Sequence, residues 1–406
     1  MTPGQCDMAS LNPAILSWAR KAAGLSLEDA AHAIGLNDAR GIKGSERLAA
    51  MEQGQDEPSR PQLLKMAQAY HRSLLVFYLA EPPKTGDRGQ DFRTVPGSQP
   101  PAYDPTLDAL IRDIRSRHSI VKSLREEAEA APLQFVGSAS METSAVRLVQ
   151  RVVESIGFDL AEFRNQNSVE DAFSYLRSRI EASGIFVLLV GNLGSFHTNI
   201  PVTTFRGFAI ADRVAPFVVV NDLDTHSAWA FTALHEVVHL WLGTTGVSGT
   251  SNEAKIEQYC NDVAGEILVP ATEMAILAPL RSASLNSAVE KISAFATHRK
   301  VSRAMISYKL FRKGIISERL WKSLRDYFRE EWDKLKAKDA VKQRQTEGGP
   351  SYYVVRRHRL GNALLGLVGN SLQDGSITYT KAGRVLGVKA RNVDPLLRQV
   401  VLAGGR

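Results

Sequence analysis

The rhythm of apolar and polar positions changes along the chain, and each change predicts a different element. Ile15, Leu16, Trp18, Ala19 and Ala22 set one helical face, which Gly24 ends. Ser26 caps a second helix over 27–34, with Asp29 in the capping-box position and Gly35 behind it. A third helix spans 45–52, and a helical tail runs from Pro61 to Pro82 and Pro83. Residues 84–105 are rich in Pro and Gly and read as a linker. Helical spacing returns at Leu107, Leu110, Ile111, Ile114, Val121 and Leu124, and again from Val146 to Val153. Ser168 and Asp171 open a further helix that runs to about residue 183.

Gly184 ends the helical run, and short apolar strands follow at 185–190, 203–211 and 216–221. Residues 231–243 then read as an apolar helix that Asp224 or Thr225 can cap and Gly243 closes. Thr250 and Glu253 form a capping box for the next helix, which Pro270 stops. Residues 292–310 have the spacing of a helix pair, either a second helix-turn-helix or a plain helical cap. A long charged helix covers 318–338. Leu360, Leu364, Leu367, Val368 and Leu372 predict one amphipathic helix, with two short ones behind it. The expected class is α+β, mostly helical, in which a small central sheet lies against two helices. The expected divisions are 12–83, a linker at 84–105, 106–335, and a helical extension at 336–406.

Composition adds two points. Cys6 and Cys260 give no disulfide framework, the start lacks a secretory apolar core, and no apolar run reaches membrane-spanning length. A cytoplasmic protein without a membrane partner is expected. The net charge of +7 permits a polyanionic partner, and residues 336–406 hold thirteen Lys and Arg against four Asp and Glu.

The chemistry concentrates at 231–243. His235 and His239 are four apart and share one helix face, with Glu236 beside the first. This is the H-E-x-x-H arrangement of zinc hydrolases. Zinc needs a third protein ligand and an open position. Glu257 is the favoured third ligand because it heads the stripe continued by Asn261 and Ala264. Glu253 and Glu266 compete, although Glu253 suits a cap and Glu266 lies near the helix end. Cys260 fits better as a buried apolar side chain. Glu236 is placed to act as general base and then as the acid that protonates the leaving amine. Tyr259 and His197 are candidate oxyanion donors, and Asn261 or Asp262 could orient the histidines.

These residues resemble the ImmA/IrrE family of zinc metallopeptidases. His235-Glu236-x-x-His239 is followed by Glu257-x-x-Cys260-Asn261-x-x-Ala264-x-Glu266-x-Leu268-x-Pro270. On that resemblance Glu257 falls on the family's third ligand and Asn261 on its Asn, while Cys260 and Val263 depart from the usual Ala and Phe. The strands at 205–210 and 216–221 also look like those preceding the metal helix in this family. Residues 12–83 resemble an XRE (Cro/repressor-like) helix-turn-helix module, with an unusually long loop at 37–44. Arg40, Lys43, Ser45 and Arg47 would contact DNA on that reading. Together the resemblances imply a cytosolic zinc endopeptidase that cleaves a repressor or other protein and carries a DNA-binding module. The alternative is a DNA-binding regulator whose peptidase-like domain senses a ligand or stress and cleaves little.

Overall fold

A computed structural model describes residues 11–39, 41–83, 104–244, 251–345 and 351–401. These residues fall into two compact units.

The first unit contains α1 (Pro13–Ala22), α2 (Leu27–Ile34), α3 (Gly44–Glu52) and α4 (Arg60–Ala69), with a 3-10 turn at Leu74–Tyr78. Ile15, Leu16, Ala30, Leu48, Met66 and Phe77 form part of its own apolar core. Arg20 and Glu52 make a largely buried two-point ion pair between α1 and α3, with contacts of 2.7 and 2.9 Å. The long loop before α3 folds tightly. Ala39 and Ile42 pair as an isolated bridge, Gly41 turns with φ +79°, and Asp38 accepts the Gly44 amide at 2.9 Å. A Cβ at Gly44 would sit 1.9 Å from the Leu36 carbonyl oxygen, so α3 starts hard against the end of α2. The extra residues are therefore absorbed in the turn and do not separate the two helices.

The second unit begins partway along α5 (Pro105–Glu127) and continues through α6 (Ala145–Ile156), α7 (Leu160–Arg164) and α8 (Val169–Ala182). Strands β1 (Phe186–Leu189), β2 (Gly207–Ile210) and β3 (Phe217–Val220) form one sheet in the order β1-β3-β2. β3 pairs parallel with β1 and antiparallel with β2, and Gly207 lies opposite Val220. All twelve strand residues are buried, as continuous apolar runs require when both faces are covered.

The sheet packs on α9 (His226–Leu242), whose residues 228–241 are all buried. A helix that is apolar all round belongs in a core. α10 (Ser251–Leu268) packs on α9 and α6. Phe231 lies near Gly265 while His239 meets Glu257, so α9 and α10 run antiparallel. The sheet thus rests on α9, whereas the sequence suggested that it covered both ligand helices.

Beyond a 3-10 stretch at Ala271–Ser282 come α11 (Leu285–His298), α12 (Arg303–Arg312) and α13 (Glu318–Gln345). Ile292, Phe295, Ile306 and Leu310 join the same core as α9 and α10. Most basic side chains here are engaged. Arg299 pairs with Glu273, Arg303 with Glu331, and Lys309 with Glu266 and the carbonyls that end α10. Both sequence readings for 292–310 expected a helix pair, and α11 and α12 form it with their apolar faces in the core.

The expected boundary at 335/336 falls inside α13. The remaining helices are α14 (Tyr352–Leu360), α15 (Asn362–Gln373), α16 (Tyr379–Leu386) and α17 (Val393–Val401). The amphipathic helix expected across 360–372 forms as α15 except for Leu360, which ends α14, and Gly361 between the two helices has φ +78°. A Cβ there would lie 2.0 Å from Glu181 Oε1. Buried Arg177 pairs with Glu181 and donates to the carbonyls of Val187, His358 and Arg359. Glu181 accepts the amides of Asn362 and Ala363, which start α15. One ion pair thereby ties β1, α14 and α15 together. No single described helix is long and apolar enough to cross a membrane.

Candidate metal centre

Three Lewis-basic side chains converge between α9 and α10. His235 Nε2 and His239 Nε2 are 3.0 Å apart, and the two oxygens of Glu257 reach them at 3.1 Å each. Both imidazoles are essentially fully buried and Glu257 is partly exposed. Burying this many ionisable groups in an apolar core is costly unless a charge partner gathers them. The fit to one small cation is good. Tetrahedral bonds of 2.0–2.1 Å to zinc place neighbouring ligand atoms about 3.3 Å apart, and here one donor atom from each of the three residues lies within 4.8 Å of the others. Among the described residues this is the one cluster of His, Cys, Asp and Glu with such geometry.

The way α9 ends orients one ligand. Gly243 adopts φ +66°; its amide and that of Thr244 bond back to the carbonyls of Leu240 and His239. This Schellman turn folds Thr244 over the last turn of the helix. Its hydroxyl lies 3.0 Å from His239 Nδ1. Nδ1–H donating to that hydroxyl leaves the Nε2 lone pair facing the cluster. The sequence had proposed Asn261 or Asp262 for this duty. Instead Asn261 Oδ1 is buried with no hydrogen-bond partner among the described residues, and Asp262 lies 3.9 Å from Arg312.

Glu236 is 1 % exposed. The sheet makes room for it only because β2 begins with glycine. A Cβ at Gly207 would lie 2.8 Å from Glu236 Oε1, 2.8 Å from Thr232 Cγ2 and 2.9 Å from the Val219 carbonyl oxygen. Glycine inside a strand marks such a close approach, a signal present in the sequence but not used there.

The other candidates are accounted for. Cys260 is fully buried in the apolar core. Glu266 accepts the Ala271 amide at 2.6 Å and pairs with Lys309. Burial raises its pKa, but that amide and Lys309 outweigh it and hold the carboxyl below the usual range. The Glu253 side chain, and with it the expected capping box, lies outside the described residues. Tyr259 was a candidate oxyanion donor, yet its hydroxyl is committed to the Thr143 carbonyl at 2.6 Å. His197 belongs to a segment of the first unit.

In that unit Lys43 is exposed immediately before α3, and Ser45 is half-buried in its first turn. Arg47 is half-buried and donates to the Asn37 carbonyl at 3.0 Å, so part of its guanidinium braces the long loop. Arg40 lies outside the described residues.

Comparison with known proteins bears on the second unit. Searches of curated proteins and of solved structures returned no match. The resemblance of 12–83 to a repressor-type module rests on its sequence motif alone. Residues 195–311, a span that contains His235, Glu236, His239 and Glu257, match the peptidase M78 family, described as the IrrE N-terminal-like domain.

Proposed function

We propose that this chain is a zinc-dependent endopeptidase that acts as a regulator by cutting a repressor or another protein in the cytoplasm. The observation that carries the reading is the His235–His239–Glu257 triangle beside a buried Glu236 on the same helix. Bound zinc would supply Lewis-acid activation of a water and of the scissile carbonyl. His235, His239 and Glu257 would hold it, with Thr244 keeping His239 in the required tautomer.

Glu236 does the proton work. Its carboxylate accepts a proton from the attacking water and delivers it to the leaving nitrogen. Gly207 keeps that carboxylate close under β2. Among the described residues β2 is an outer strand of the sheet, and its outer side suits an extended peptide added as a further strand. Glu236→Gln preserves size but cannot accept the proton. The expected result is full zinc content with cleavage of neighbouring-frame gene products reduced by orders of magnitude. Undiminished cleavage would assign the base elsewhere.

DNA is the proposed partner of the first unit. Exposed Lys43 at the start of α3, and α3 held against α2, support that reading. Full-length chain carrying Lys43→Glu should bind its own promoter fragment more weakly and with a flatter salt dependence. Equal binding by both chains would remove Lys43 from the contact.

A further inference from the structure

We infer that the cavity beside the metal helix, upstream of its ligands, is a recognition groove for an acidic peptide segment carrying large apolar or aromatic side chains. The inference rests on the peptidase reading and specifies the substrate class. Asp224, Ala228 and Phe231 precede His235 by eleven, seven and four residues. Ala228 and Phe231 therefore lie on the helix stripe that carries both histidines, and Asp224 just precedes the helix. All three line a cavity of about 470 Å³. Its floor is thus the metal helix itself, upstream of the ligands.

The walls come from both sides of the site. One is the loop at 201–206, which leads directly into β2. Asn221 fixes that loop by donating to the carbonyls of Ile200 and Phe205 at 3.0 and 3.1 Å. Gly207, the next residue, is the one pressed against Glu236. A peptide paired along β2 would leave the reacting bond and pass into this cavity within a few residues. The opposite wall is one stripe of α13, from Trp321 through Phe328 and Trp332 to Lys336. The fifteen helical steps from Trp321 to Lys336 rise about 22 Å. Extended chain covers about 3.3 Å per residue, so the groove accommodates six or seven residues. That length suits a peptide better than a compact small molecule.

The chemistry sets the class. Aromatic rings line the interior, and Arg303 already stacks over Phe328 at 4.6 Å. Arg325, Arg329 and Lys336 stand on the α13 wall, with Arg206 opposite them; Asp224 and Asp333 are the acids in the lining. Arg206 is matched by Asp224 at 3.4 Å and Arg325 by Asp326 at 3.0 Å, which leaves the excess positive charge on Arg329 and Lys336, with Asp333 between them. Carboxylates placed beside a bulky apolar side chain complement this arrangement.

The test uses the full-length, zinc-loaded Glu236→Gln chain and fluorescein-labelled octapeptides. One carries Phe and Leu between paired aspartates, and a second replaces the aspartates with lysines. The acidic peptide should bind at least tenfold more tightly. The exposed double substitution R329E/K336E should lose that preference and favour the lysine peptide, with zinc content unchanged. Equal binding of the two peptides, or an unaltered preference in R329E/K336E, would overturn the groove. Tighter binding of a thymidine oligonucleotide or a nucleoside monophosphate than of the acidic peptide would overturn it too. Binding as expected with no cleavage by the unsubstituted chain would keep the groove and sink the peptidase reading. Cleavage indifferent to peptide charge would do the reverse.

Discussion

Gly207 shows how narrowly the chemistry depends on single residues. It is the point where the sheet comes closest to Glu236, and the nearest atoms include a backbone oxygen that cannot swing aside. Gly207→Ala should therefore displace the Glu236 carboxylate. A displacement near 1 Å costs about a hundredfold in rate. Zinc content should stay at the unsubstituted level while kcat falls by about that factor. An unchanged kcat would show that β2 does not set the position of the base. His235, Glu236 and His239 were legible in the sequence because four-residue spacing on a helix is a purely local property. Thr244 was not legible, since its role appears only when the Gly243 turn folds it back onto His239.

At the scale of elements, α9 and α10 make the site, and α6 holds α10 in place. The Tyr259 hydroxyl spans from α10 to the Thr143 carbonyl just before α6. Tyr259→Phe should cost about 1 kcal/mol of stability, the worth of one hydrogen bond, and leave kcat as it was. A large loss of kcat with no loss of stability would restore Tyr259 as an oxyanion donor. The sequence could not make this distinction, because the partner is 116 residues away. The same limit explains the helix expected across 360–372. Its apolar period is genuine, but the break at Gly361 is dictated by Arg177 and Glu181, about 180 residues earlier. By contrast the strands, the closing Gly243 and the cap of α8 were legible, since apolar runs, capping pairs and terminal glycines act over a few residues.

At the scale of the whole second unit, partly desolvated histidines outside the metal centre set a pH limit. Burial lowers the pKa of His118, more than nearby Asp212 can raise it. His358 is more exposed, but partial desolvation lowers it too, with Arg177 adding to the effect. Each is thus kept neutral in the fold but takes up a proton at its ordinary pKa near 6.5 once unfolded. The unfolded chain then binds more protons, so stability is complete above about pH 6.5 and declines as the pH falls below it. Melting temperatures measured from pH 7.5 to 5 should show that decline, and His118→Gln should flatten it. A stability that rises on acidification over that range would contradict the desolvation of these rings.

Everything proposed for the second unit depends on a metal held by His235, His239 and Glu257, and metal content measures this directly. Purified full-length chain, dialysed against zinc and then against buffer, should retain one zinc per chain by mass spectrometry. Glu236→Gln should retain the same amount, while His239→Ala should lose it and melt at a lower temperature, since bound metal favours the folded state. Full zinc occupancy in a His235→Ala, His239→Ala double variant would contradict the account.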